Sequence, residues 1–129
     1  LCTGNSCRSQ IAEGIAKKEI DNVLFESAGT NPDPVNPYAI DTLKNIGIDI
    51  SKNISKKIIF EDIDKYDLII TLCSDAQDNC PAVNPPEKHI HWNIEDPAKF
   101  KGSKEQINLK FSEIREIIYK NIENLKERL

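Results

Sequence analysis

The chain has 129 residues, of which 39% are hydrophobic and 29% charged, and its net charge is −4. That length predicts one catalytic-sized domain over residues 1–129 with a single buried core, and the composition is that of an ordinary globular protein. The acidic balance argues against nucleic acid or an anionic membrane as the main partner, because both select basic faces, and no run is apolar for long enough to span a bilayer.

The chain opens on "LCTGNSCRSQ", two thiols among small polar residues, where a loop turns into a helix. Residues 9–20 carry Ile11, Ile15, Ala16 and Ile20 at helical spacing. "NVLFESAG" then reads as a strand ending at Gly29, and "TNPDPVNP" as a turn region with three prolines. "YAIDTLKNIG" reads as a second helix closed by Gly47. "ISKNISKKIIFEDIDKY" reads as loop with one short helix. In "KYDLIITLC" the apolar and β-branched run over residues 68–72 predicts a buried strand. "HIHWN" reads as a short strand. Over residues 103–129 the pattern Ile107, Phe111, Ile114, Ile118, Ile122 and Leu125 predicts a long amphipathic helix. Ser103 is its expected N-cap, with Gln106 completing a capping box.

Strands alternate with helices, which predicts an α/β fold with a four-stranded parallel sheet flanked by helices. Such a sheet needs a strand feeding the first helix, and only Leu1 of it is present. The first strand is therefore expected upstream of Leu1, and the absence of any Met agrees. No signal peptide is expected ahead of the opening motif. The four cysteines, Cys2, Cys7, Cys73 and Cys80, are then expected in the cytoplasm as reduced, catalytic or metal-bound thiols.

Cys2 to Arg8 fits C-x5-R. If a strand leads in and a helix leads out, the backbone N–H groups of Thr3, Gly4, Asn5, Ser6, Cys7, Arg8 and Ser9 form an anion cradle at a helix N-terminus. Gly4 is expected to allow the tight path. Arg8 can give an oxyanion two parallel hydrogen bonds. Cys2 faces the same positive site, so its thiolate is expected to predominate and to attack phosphorus or arsenic. Ser9 is placed to donate to that thiolate. Asp96 in "EDPAKF" lies where a loop after the last strand would bring an acid to the ligand edge of the sheet. An ordinary Asp-Pro turn is the plainer reading of that stretch taken alone.

Cys73 ends the buried strand, at the same sheet edge as the Cys2 loop. If Ser74 caps a helix running to Cys80, the two thiols stand about 10 Å apart along its axis. A disulfide needs Cα atoms within roughly 7 Å, so bonding them requires unwinding, and the pair reads as a redox switch. Two buried structural thiols are the alternative. A zinc site would use His89 and His91 as well, but C-x6-C is not a zinc spacing. The histidines are read as strand-surface residues, and neither a metal nor a cofactor is expected.

Together "CTGNSCRSQ", "SAG", "IDIS", "TLCSDA", "CP" and "DPA" resemble the thioredoxin-coupled arsenate reductases, which share the fold of the low-molecular-weight protein tyrosine phosphatases. Phosphatases of this fold usually carry Pro where this chain has Gln10, aromatic residues where it has Ala98 and Lys99, and lack the Cys73/Cys80 pair. The resemblance implies that Cys2 attacks arsenate while Asp96 protonates the departing oxygen, that Cys73 attacks Cys2 and expels arsenite, and that Cys80 attacks Cys73. It implies arsenate, or a phosphate or sulfate analogue, in the loop, and thioredoxin as the reductant of the Cys73–Cys80 disulfide. Cys7 has no step. Some such proteins hold potassium with groups matching Asn5, Glu13 and Ser27, and Lys56 stands where a further acid would be, so its ammonium is expected to take the ion's place beside Glu13. A phosphatase acting on phosphate esters and a non-enzymatic thiol sensor are the competing readings.

Overall fold

The computed structural model describes residues 1–72 and 86–129. Cys73, Cys80 and the helix expected from Ser74 lie outside those residues.

Helix α1 spans Arg8–Glu19 and buries Ile11, Ile15 and Ala16 on one face. Helix α2 spans Pro37–Lys44. Its start is local chemistry: Asn36 accepts the Tyr38 N–H at 2.9 Å and Pro37 occupies the first turn, where its missing N–H costs nothing. It ends short of the expected limit, in a turn closed by Gly47 at φ 80°. A 3₁₀ turn, Phe60–Lys65, is the short helix anticipated in that region.

The long C-terminal helix α3 spans Lys104–Arg128. Ser103 and Gln106 form the capping box, Gln106 N–H to Ser103 Oγ at 3.1 Å and Ser103 N–H to Gln106 Oε1 at 2.8 Å. Phe111, Ile114, Ile118, Ile122 and Leu125 are all buried, sharing a core with α1 and with Ala39 and Leu43 of α2. Phe111 is 1% exposed and its ring centroid lies 5.5 Å from that of Tyr38. Burying one such side chain stabilises by roughly 1.5–3 kcal/mol.

Strands β1 (Ile69–Thr71) and β2 (His89–His91) pair in parallel, with Ile70 opposite Ile90. The ladder continues past β2, Trp92 N–H to Thr71 O at 2.7 Å and Ile94 N–H to Leu72 O at 3.2 Å. That extension carries residues 94–96 to the edge where β1 ends.

The described residues do not form the expected four-stranded sheet. "NVLFESAG" is bridged only at Gly29, to Cys2 and to Lys57. Leu24, inside that stretch, is 84% exposed. Strand propensity expresses pairing and cross-strand packing rather than an intrinsic backbone choice, and residues 22–27 have no strand neighbour among the described residues. Leu1 and Cys2 instead run between this segment and β1: Cys2 N–H donates to Ala28 O, Thr30 N–H to Cys2 O, and Leu72 N–H to Leu1 O. The Cys2 loop thus leaves from between two flanking segments.

His89 and His91 are half-buried rather than surface residues, and both rings contact Thr71 Oγ1, at 3.1 and 2.6 Å. Among the described residues no group of metal-ligating side chains has three members, and no helix is long and apolar enough to cross a membrane.

Candidate active site

The loop from Cys2 to Ser9 is held from outside through its carbonyls. Asn31, Asp33 and Asn36 donate backbone N–H groups to the carbonyls of Thr3, Gly4 and Ser6 at 2.8–3.0 Å. Ser55 Oγ donates to the Asn5 carbonyl at 2.8 Å. In a trans peptide the next N–H points the opposite way, so the N–H groups of Gly4, Asn5, Ser6 and Cys7 are turned toward the hollow of the loop. This is the arrangement an anion needs.

Two backbone features make that path possible, and neither is at Gly4. Asn5 carries the left-handed conformation, φ 47°, which Asn tolerates better than most residues. Gly29 lies directly behind the loop: a Cβ there would come within 2.5 Å of Thr3 O and 2.7 Å of Asn5 N. At Gly4 a Cβ would meet only ordinary contacts, Ser6 Cβ at 3.4 Å and Asp33 Oδ2 at 3.6 Å.

The buried Asn5 side chain fixes the polarity of everything around it. Its Oδ1 accepts the Lys56 backbone N–H at 2.9 Å and Gln10 Nε2 at 3.1 Å. Its Nδ2 therefore donates, to Ser9 Oγ at 2.7 Å and Ser27 Oγ at 2.9 Å. With its oxygen already accepting from Asn5, Ser9 has its hydroxyl proton available for Cys2 Sγ, 2.9 Å away. A donor at that distance favours the thiolate over the thiol. Cys2 is 1% exposed.

Arg8 begins α1 and is buried. Its Nη1 donates to Ile94 O at 3.0 Å and its Nη2 lies 3.4 Å from Asp96 Oδ2. Its Nε is buried with no hydrogen-bond partner among the described residues. Buried donors are rarely left unmatched, and one beside an anion loop is where an oxyanion would accept. Asp96 is held from its other oxygen, which accepts the Ala98 N–H at 3.0 Å. Arg8, Asp96, Asn93, Lys99 and Phe100 line an open cleft of about 480 Å³.

Cys7 behaves differently from Cys2. It packs into the hydrophobic core, and burial pushes its thiol up to about 12 despite a contact with Ser6 Oγ. It stays protonated and non-nucleophilic at neutral pH, in line with its having no step.

Of the residues singled out from sequence, Cys2, Arg8, Ser9 and Asp96 gather at one edge, with the loop backbone around them. Lys56 differs from expectation. It contributes its backbone N–H, its side chain is exposed, and the ammonium beside Glu13 belongs to Lys17, at 2.9 Å from Oε2. The other Glu13 oxygen accepts Ser27 Oγ–H at 2.6 Å. The residues present therefore do not fit a potassium site: Asn5 Oδ1 is doubly occupied and the Glu13 charge already has a cation. Gln10, Glu13, Lys17, Ser27 and Gly29 belong to the site's support. Glu13 and Ser27 were reached from sequence through the resemblance; for Lys17 the available signal is its spacing of one helical turn from Glu13.

A family model for low molecular weight phosphotyrosine protein phosphatase matches residues 1–129. The chain is 45% identical over 128 residues to the arsenate reductase of Halalkalibacterium halodurans, covering 98% of this chain and 92% of that one. It is similar to a solved arsenate reductase in its phosphate-binding state, with TM-score 0.75 and 34% identity over 98% of this chain and 93% of the other. It is also similar to the low molecular weight protein tyrosine phosphatase of T. tengcongensis, with TM-score 0.81 and 26% identity over 99% and 95%.

Proposed function

The chain belongs to the low molecular weight phosphotyrosine protein phosphatase family, and from that premise we propose that it reduces arsenate to arsenite through a relay of Cys2, Cys73 and Cys80, with thioredoxin as reductant. The observation that carries the reading is the convergence on one loop of a thiol with a hydroxyl donor, Cys2 and Ser9, and a buried arginine paired to an acid, Arg8 and Asp96. Relatives of like length at 41–45% identity are named arsenate reductases, which supports arsenate as the substrate.

In this reading the loop amides and Arg8 hold arsenate. The Cys2 thiolate forms an S–As bond as an As–O bond breaks, and Asp96 supplies the proton that lets the oxygen leave as water. Arg8 loses Asp96 as partner when that proton is present, and the substrate oxygens replace it as acceptors. Next the Cys73 thiolate attacks Cys2 Sγ. A Cys2–Cys73 disulfide forms, the S–As electron pair returns to arsenic, and As(V) departs as As(III). Cys80 then attacks Cys73, releasing the Cys2 thiolate and leaving a Cys73–Cys80 disulfide. A thioredoxin dithiol takes up that disulfide by thiol exchange.

The test is arsenite production from arsenate with a thioredoxin system. Wild type turns over, and Cys80→Ser stops after a single turnover. Multiple turnovers in Cys80→Ser would overturn the relay. Hydrolysis of aryl phosphates is a second reading for the same loop, favoured by the similarity to a tyrosine phosphatase. It needs Cys2, Arg8 and Asp96 but neither Cys73 nor Cys80, so Cys73→Ser separates the two activities.

A further inference from the structure

We infer that Lys17 is a built-in counter-ion of the anion loop, a positioning residue that acts through Glu13 and Ser27 on Asn5. The inference rests on reading residues 2–9 as an anion loop and not on the reductase relay.

The chain of contacts is unbroken. Lys17 Nζ lies 2.9 Å from Glu13 Oε2, Ser27 Oγ donates to Glu13 Oε1 at 2.6 Å, and Asn5 Nδ2 donates to Ser27 Oγ at 2.9 Å. Asn5 Nδ2 also donates to the Ser9 hydroxyl that faces Cys2 Sγ. The two ends of the ion pair differ in exposure: the Glu13 side chain is 10% exposed and that of Lys17 is 55%. A carboxylate buried that far has lost most of its water and depends on a partner. Lys17 is its cation, reaching in from solvent along the helix surface.

The consequence for the loop is electrostatic. Without Lys17 an uncompensated negative charge stands two hydrogen bonds behind Asn5, at the back of a loop that must hold an anion. Coulomb repulsion in a partly buried site is far from negligible. With Lys17 present the Glu13 charge is compensated and the Asn5 amide is held in one orientation. A monovalent metal ion has no role to fill there.

The experiment measures inorganic phosphate affinity by calorimetry, together with arsenate kcat and KM, in Lys17→Met, Lys17→Arg and the double variant Glu13→Gln/Lys17→Met. Lys17→Met is expected to weaken phosphate on the order of tenfold and to raise KM more than it lowers kcat. Lys17→Arg restores the wild-type value. So does the double variant, because the amide that replaces the Glu13 carboxylate is neutral and its oxygen still accepts from Ser27. Wild-type affinity and melting temperature are expected to be the same in sodium and potassium chloride. Unchanged phosphate affinity in Lys17→Met, a double variant no better than the single, or a potassium-specific gain in wild type would each overturn the inference. Absence of phosphate binding in wild type would overturn the anion-loop reading and this one with it. Phosphate binding that follows the expected pattern while arsenate is not reduced would leave Lys17 in its role and remove only the reductase.

Discussion

Leu72 donates its backbone N–H to the carbonyl of Leu1 at 2.9 Å. Each of these residues immediately precedes a thiol in the chain, Cys73 in one case and Cys2 in the other. In the proposed relay these two thiols exchange directly. In Cys80→Ser treated with arsenate, a Cys2–Cys73 disulfide is expected to accumulate. Non-reducing peptide mapping detects it, and its absence after arsenite has been released counts against the relay.

Cys2→Ser is expected to abolish arsenate reduction and any phosphate-ester hydrolysis, since both begin at the same sulfur. Retained hydrolysis in that variant moves the nucleophile elsewhere.

Asp96→Asn is expected to lower turnover by roughly 10²–10⁴, the usual contribution of a positioned acid. The Asn side chain keeps an oxygen for the Ala98 N–H, so the turn at Pro97–Lys99 survives. The melting temperature should stay close to that of wild type. An unchanged rate would mean that another group donates the proton.

Gly29→Ala tests the loop's back wall. Its Cβ would stand 2.5 Å from Thr3 O, which is backbone and cannot swing aside. A loss of about 1–3 kcal/mol is expected, the range for overpacking, accompanied by weaker phosphate binding. Gly4→Ala, which meets no contact shorter than 3.4 Å, is expected to cost less stability. Equal losses in the two variants, read by denaturant unfolding, would contradict the assignment of the tight position.

His89 gives a pH signature. Burial, with His91 beside it, lowers its pKa from the ordinary value of 6.5. The folded protein then binds a proton there less readily than the unfolded chain does. That contribution to stability is fully present above the ordinary value of 6.5 and is lost as pH falls through the lowered folded value. Between about pH 7.5 and about pH 5.5 the wild-type melting temperature is expected to drop more than that of His89→Gln. A parallel pH dependence in the two proteins would show that His89 is not linked to folding.

The features legible in the one-dimensional chain are those whose physics is local. The α3 core stripe from Phe111 to Leu125 and its Ser103/Gln106 cap came out as expected, because residues three or four apart share a helix face and a cap reaches only three residues. The turn from the Cys2 loop into a helix beginning at Arg8 was legible for the same reason, since that signal is local. "NVLFESAG" has the composition of a strand, yet composition supplies no neighbour, and among the described residues only Gly29 is bridged. The left-handed residue proved to be Asn5 and the close approach to be at Gly29, because the steric demand comes from a segment distant in sequence pressing on the loop. Likewise Lys17 rather than Lys56 faces Glu13, and two histidines share the hydroxyl of Thr71. Hydrogen bonds of that kind depend on which distant segments the packed core brings within about 3 Å, and no periodicity along the chain encodes that choice.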